Sequence, residues 1–149
     1  MTYSNLLAGR FSAPGLVYLV TSVTSDRQAW FADFALARAV VAEMRHLHDS
    51  GAVQSIAWVL MPDHLHWLIQ LGEQGTLAHV MKSFKGRSAQ ALHAMGHTPG
   101  PVWQRGYHDR ALRREEDVLQ VARYLAANPL RAGLVQSLGD YPHWDAVWV

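Results

Sequence analysis

The sequence predicts a single α+β domain, an antiparallel sheet with helices packed against it, and three observations carry that prediction. Strand-like runs alternate with amphipathic stretches of helical period, and two of those runs are separated by only Pro62-Asp63. The 149 residues, half of them apolar, are enough for one core, and no linker, internal repeat or low-complexity tract divides them.

LVYLVTSVT, residues 16–24, is short, β-branched and aromatic and follows Pro14-Gly15, which predicts the first strand. FADFALARAVVAEMRHLHDSG, 31–51, sets Phe34, Ala37, Val40, Val41, Met44 and Leu47 at helical spacing and stops near Gly51. AVQSIAWVLM, 52–61, and HLHWLIQL, 64–71, read as the arms of a tight hairpin. In the simple register Leu60 faces Leu65, Trp58 faces Trp67 and Ile56 faces Ile69, an apolar side for helices to cover. Met61 then faces His64, Val59 faces His66, Ala57 faces Leu68 and Ser55 faces Gln70 on the other side.

TLAHVMKSFKGRSAQALHAMG, 76–96, predicts a second helix with Thr76 as N-cap and Lys82, Lys85 and Arg87 on its surface. HTPGP, 97–101, is a turn, and WQRGYHDRALR, 103–113, is compatible with a fourth strand. EEDVLQVARYLAANP, 115–129, is a third helix, acidic in its first turn as the macrodipole favours, with Pro129 marking its end or a kink. The order β-α-β-β-α-β-α is that of a ferredoxin-like sandwich with one added C-terminal helix.

Composition narrows the chemistry. There is no cysteine, so a metal site would have to use His, carboxylate or amide ligands. The beginning of the chain lacks a basic stretch followed by a long apolar one. No apolar run approaches the roughly 18–20 residues a bilayer requires, so the expectation is a cytoplasmic protein with no membrane partner. Residues 1–81 carry four basic and six acidic groups, residues 82–131 nine basic and four acidic, and residues 132–149 two acidic. That central basic zone suits a phosphate backbone, and equally suits an ordinary solvated helix face.

His64 and His66 lie two apart on a strand, so both project to one side, about 7 Å apart along the backbone. That spacing allows both rings to reach one ion, although such pairs also occur on surface strands and in hydrogen-bonded cores. On the third helix, Val118, Val121, Ala122 and Leu125 form an apolar stripe flanked by Asp117, Tyr124 and Asn128. If that flank covers the histidine side of the sheet, a phenol, two imidazoles and an amide meet. Tyr124 as a boundary residue and Asn128 as a helix stop are the alternative.

MPDHLHWLIQL, followed by WQRGYHDRALR and then ARYLAANPLRAGLV, resembles the single-tyrosine HUH transposases of the IS200 type, most closely their REP-associated relatives. The resemblance runs from about Leu16 to Tyr141. It implies metal-dependent cleavage and strand transfer of single-stranded DNA, with His64 and His66 as ligands of a divalent ion, magnesium or manganese. It implies Tyr124 as the nucleophile that forms a 5′-phosphotyrosine intermediate. Asn128 would be the third ligand, at a position where IS200-type relatives commonly have Gln. Joining through the phosphotyrosine needs no nucleotide cofactor, and the sequence has none of the usual phosphate-cradling glycine motifs.

The resemblance also implies hairpin DNA as partner. Lys82, Lys85, Arg87, Arg105, Arg110, Arg113, Arg114, Arg123 and Arg131 are candidates to track its backbone, and Trp103 and Tyr107 to stack on bases. Tyr107 is also the competitor to Tyr124 as nucleophile. The tail 142–149 and the PLRAGLV stretch favour the REP-associated group over the IS200-type enzymes, and that resemblance implies a monomer instead of a dimer. Two rival readings are a hairpin-binding protein without catalysis and a metal-dependent phosphoesterase that uses water.

Overall fold

The computed structural model describes residues 15–73, 75–96, 100–134 and 141–146. Five strands form one antiparallel sheet: β1 (Val17–Val23), β2 (Val53–Met61), β3 (His64–Leu71), β4 (His108–Leu112) and β5 (Trp144–Ala146), in the order β4-β1-β3-β2-β5. The first four strands with α1 (Phe34–Asp49) and α2 (Leu77–Ala94) make the predicted β-α-β-β-α-β sandwich. Two helices follow, α3 (Glu115–Ala126) and the single turn α4 (Asn128–Arg131). None of the described helices is long and apolar enough to cross a membrane.

The pleat sorts the sheet into two faces. Tyr18, Val20, Leu60, Leu65 and Trp67 point to one of them, and all are buried. α2 packs there, with the Phe84 and Trp67 rings 5.3 Å apart. The other face carries His64, His66 and Leu68, flanked in register by Val23, Thr21 and Leu19 of β1 and by Met61, Val59 and Ala57 of β2. α3 lies against β2, β3 and β5 through Val118, Ala122, Leu125 and Ala126.

The expected hairpin register holds from Met61↔His64 to Ala57↔Leu68 and then shifts by one. Ile56 is the extra residue of a bulge, so Ser55 rather than Ile56 stands opposite Ile69, and Gln54 rather than Ser55 opposite Gln70. The physical reason is visible next to it. Trp67 is fully buried, and its indole N–H donates to Ser55 Oγ at 2.9 Å, a partner the unbulged register would turn to the other face.

Other boundaries differ from expectation. α1 begins at Phe34, not 31, because Trp30–Ala32 forms a 3₁₀ turn and Asp33 is the N-cap, accepting from the Leu36 N–H at 3.1 Å. Thr76 caps α2 as expected, accepting from the His79 N–H. α3 stops at Ala126 instead of 129, since Pro129 lacks an N–H and its ring would meet the Leu125 carbonyl. The fourth strand is only His108–Leu112, with Trp103 in a single bridge to Thr24.

β5 was not foreseen: it pairs with β2, and the residues leading into it are tied to Leu60, whose N–H donates to the His143 carbonyl and whose carbonyl accepts from Tyr141 Oη. Positions 97–99, 135–140 and 147–149 of the expected turn and tail lie outside the described residues. Gly72 tolerates no side chain, because a Cβ there would stand 2.2 Å from the Gly51 carbonyl oxygen at the base of the hairpin.

Candidate active site

β3 presents His64 and His66 side by side, their rings 4.8 Å apart and steeply inclined. Each has its Nδ1 engaged from behind. His64 Nδ1–H donates to Asp63 Oδ1 at 2.7 Å, and His66 Nδ1 lies 2.9 Å from Thr21 Oγ1 on the neighbouring strand. Partners of this kind fix the ring orientation and leave Nε2 of each ring as the outward donor atom, as in metal-binding histidines.

Burial, then the charges of His64 and Arg131, push the His66 pKa down to about 4, so its ring is neutral at physiological pH with a lone pair available. Burial alone would raise the Asp63 carboxyl, but hydrogen bonding and charge from His64 and Arg27 hold it below its usual value. Asp63 is therefore an anion, bonded to Arg27 on one oxygen and His64 on the other.

Tyr124 stands on the last turns of α3, 62% exposed, so it is not spent on packing. Arg131 folds back over it from α4. Its guanidinium carbon lies 3.5 Å from the centre of the Tyr124 ring, and Nη2 donates to the Tyr124 carbonyl at 2.7 Å and towards Asn128 Oδ1 at 3.4 Å. Ala127 alone separates α3 from α4 and keeps a helical conformation, so Arg131, seven residues after Tyr124, stays on the same side of the chain as the tyrosine. One arginine thus gathers Tyr124 and Asn128, and its charge is felt at His66.

The basic residues do not form one track. Arg110 faces the histidine side, opposite Leu19, and with Arg113, Arg114, Asp117 and Gln120 lines a groove of about 490 Å³ between β4 and α3. Arg105 and Arg123 are exposed, and Arg114 is 4.0 Å from Glu116. Lys82 and Arg87 belong to α2 on the opposite side of the sheet, and Arg87 is paired with Glu43 at 2.8 Å. Lys85 bonds within the protein instead of reaching outward. Its ammonium donates to the Gln104 and Gly106 carbonyls and lies 6.0 Å from the Tyr107 ring.

Trp103 offers no stacking surface. It is 8% exposed, packed against Phe31 and Phe84, and donates its indole N–H to Ser88. Tyr107 is half-buried and precedes the strand rather than lying in it.

Three residues of this face escaped the sequence reading. Asp63 had the signal of adjacency to His64. Thr21 and His108 had none without the sheet register, which sets Thr21 opposite both His66 and His108 and so puts all three on one face. His108 is exposed there, about 10 Å from His66 across two strand spacings.

The chain is similar to known proteins in both sequence and fold. A family model described as "Transposase IS200 like" matches residues 12–128. A Haemophilus influenzae protein provisionally assigned as a REP-associated tyrosine transposase is 22% identical over 144 residues, which cover 87% of this chain and 78% of that protein. The REP-associated tyrosine transposase of Escherichia coli K12 is 27% identical over 90 residues, 58% of this chain and half of that protein. In three dimensions the chain resembles a REP-associated tyrosine transposase solved bound to a REP hairpin, with a TM-score of 0.75 and 21% identity over 91% of this chain and 79% of that one. That likeness concerns the fold.

Proposed function

Because the chain belongs to the IS200-like transposase family, we propose that it cleaves and rejoins single-stranded DNA beside REP-type hairpins, with Tyr124 as the nucleophile. The observation that carries this reading is the Tyr124–Asn128–Arg131 cluster at the end of α3, on the same side of the sheet as two histidines fixed from behind.

Tyr124 Oη attacks the scissile phosphorus and loses its proton. The bond to the 3′ oxygen breaks, and that oxygen leaves with a proton as a 3′-hydroxyl. The 5′-phosphate stays esterified to Tyr124, and a later 3′-hydroxyl reverses the step, so bond energy is conserved without a nucleotide cofactor. Tyr124 is exposed enough to accept a phosphate without repacking the core. Arg131 offers a guanidinium to the phosphate oxygens while holding the tyrosine, and the groove of Arg110, Arg113 and Arg114 leads the strand in along β4.

The donor set fits a divalent ion, magnesium or manganese. His64 and His66 supply two Nε2 atoms with Nδ1 already occupied. No group of three His, Asp or Glu side chains among the described residues could hold a metal, so the two histidines would need a further ligand, and the family resemblance offers Asn128 Oδ1 for it. A bound ion would withdraw charge from the scissile phosphate and stabilise the departing oxygen. Asn128 must then exchange its long contact with Arg131 for the ion.

The test is to incubate the protein with hairpin-bearing single-stranded DNA and Mn²⁺ and resolve the products under denaturing conditions. A covalent protein–DNA adduct that disappears in Tyr124→Phe is expected. An adduct that survives in Tyr124→Phe, or cleavage without any adduct, would refute the mechanism, the latter in favour of water as nucleophile.

A further inference from the structure

A second cavity, of about 410 Å³, opens between α1 and the edge formed by β2 and β5. Its β2 wall is Trp58, which shares its face with the buried Trp67 and so points away from His64 and His66. Nothing in the proposed strand-transfer chemistry uses this space.

The cavity is equipped on three counts. Arg38 and Arg45, two turns apart on α1, reach into it, are exposed, and make no ion pair or hydrogen bond among the described residues. His48, one turn beyond, accepts the Ser55 backbone N–H on Nδ1 at 3.0 Å, so its neutral ring carries its proton on Nε2 as a further donor. The half-buried indole of Trp58 supplies aromatic surface, and Asp145, opposite Trp58 in register on β5, adds one carboxylate, so the lining is more than an anion trap. The volume lies in the range that holds a small organic ligand, roughly 300–1,000 Å³.

Paired cations, a fixed N–H donor and an indole face are the complement of a nucleobase carrying a phosphate. We propose that this cavity is a second nucleic-acid site that takes one unpaired nucleotide, its base against Trp58 and its phosphate on Arg38 and Arg45. Its place behind the sheet means that it holds a part of the strand that is not being cut. The inference rests on DNA being the ligand of this chain, as proposed above, but not on the tyrosine chemistry.

The experiment uses the full chain carrying Tyr124→Phe, in chelator, so that binding alone is read. A labelled short single-stranded oligonucleotide is titrated by anisotropy at several salt concentrations, with and without Arg38→Ala/Arg45→Ala. Loss of the one phosphate contact that these two arginines share should weaken binding at least tenfold and reduce the slope of log K against log salt by about 0.7. Competition separates the sources of the chemistry. A deoxynucleoside monophosphate should displace the strand at concentrations at least tenfold lower than inorganic phosphate, and Trp58→Leu should remove that advantage.

An unchanged affinity and slope in the arginine double variant would overturn the site. Equal competition by phosphate and nucleotide would also overturn it, reducing the cavity to an anion patch. If these binding results hold while no adduct forms on Tyr124 in the unsubstituted protein, the site stands and the strand-transfer reading fails.

Discussion

Replacing Thr21 by valine isolates the support behind His66. The substitution keeps the β-branched shape a strand prefers and removes only the hydroxyl that lies 2.9 Å from His66 Nδ1. A neutral hydrogen bond of this kind is worth about 0.5–1.5 kcal/mol net, and leaving the part-buried ring nitrogen unpaired costs about 1–3 kcal/mol. Freed of that contact, the imidazole can rotate and exchange tautomers. Loss of such supporting contacts weakens metal affinity by about 10–100-fold, equivalent to about 1.4–2.8 kcal/mol. Calorimetric titration with Mn²⁺ should therefore show Kd rising by that factor in Thr21→Val, with an unchanged far-ultraviolet circular dichroism spectrum. Thr21→Ser, which retains the hydroxyl, should recover most of the affinity. A folded Thr21→Val protein that binds Mn²⁺ as tightly as the original chain would refute the argument that β1 orients the site.

Three further outcomes follow from geometry already described. Arg131→Met should slow adduct formation by about 10–100-fold, the worth of charge-assisted contacts of about 1–3 kcal/mol, while DNA affinity in chelator changes less than about threefold; an unaltered adduct rate would count against the guanidinium's role. Ser55→Ala strands the buried Trp67 indole and should cost about 1–3 kcal/mol in urea denaturation, whereas a loss below about 0.5 kcal/mol would mean that the bulge serves some other end. Without metal, stability should decline with acidity. Burial, with the charges of His64 and Arg131, holds His66 at about 4, and burial, with the charge of Arg38, also lowers His143. Both contributions are intact above pH 6.5, where the unfolded histidines are neutral too, and are lost as the pH falls below 6.5, for His66 down to about 4, because the unfolded chain then binds protons the folded one refuses. Denaturation midpoints across that interval check this, and a flat profile would contradict it.

How far the sequence could be read depended on whether the deciding interaction was local. The alternation through 64–71 and the two-residue gap at Pro62-Asp63 were enough to put His64 and His66 on one face, and the turn pins the register for its first five pairs. Beyond that the bulge intervenes, and its cause, a buried indole twelve residues from the serine that satisfies it, has no mark in either segment alone. Pro129 announced a break in helix 115–129, but not that Arg131 beyond it lies over the Tyr124 ring. Trp103 and Lys85 looked like surface groups for DNA because their partners, Ser88 and the carbonyls of residues 104 and 106, are brought close only by the fold. The three-residue strand at 144–146 is too short to show a period, and it exists because β2 offers an edge.

That last strand changes how the molecule can meet its own copies. An open sheet edge is a template for another chain, and short added strands are one way proteins blunt it. Here the tail occupies the outer side of β2 at residues 57–59 and satisfies both backbone groups of Leu60 besides. A neighbour seeking to extend the sheet in that direction meets only the three residues of β5 unless it displaces that segment. The opposite margin, β4, is where Arg110 and the basic groove lie, so a nucleic-acid strand and a second protomer would compete for the same border.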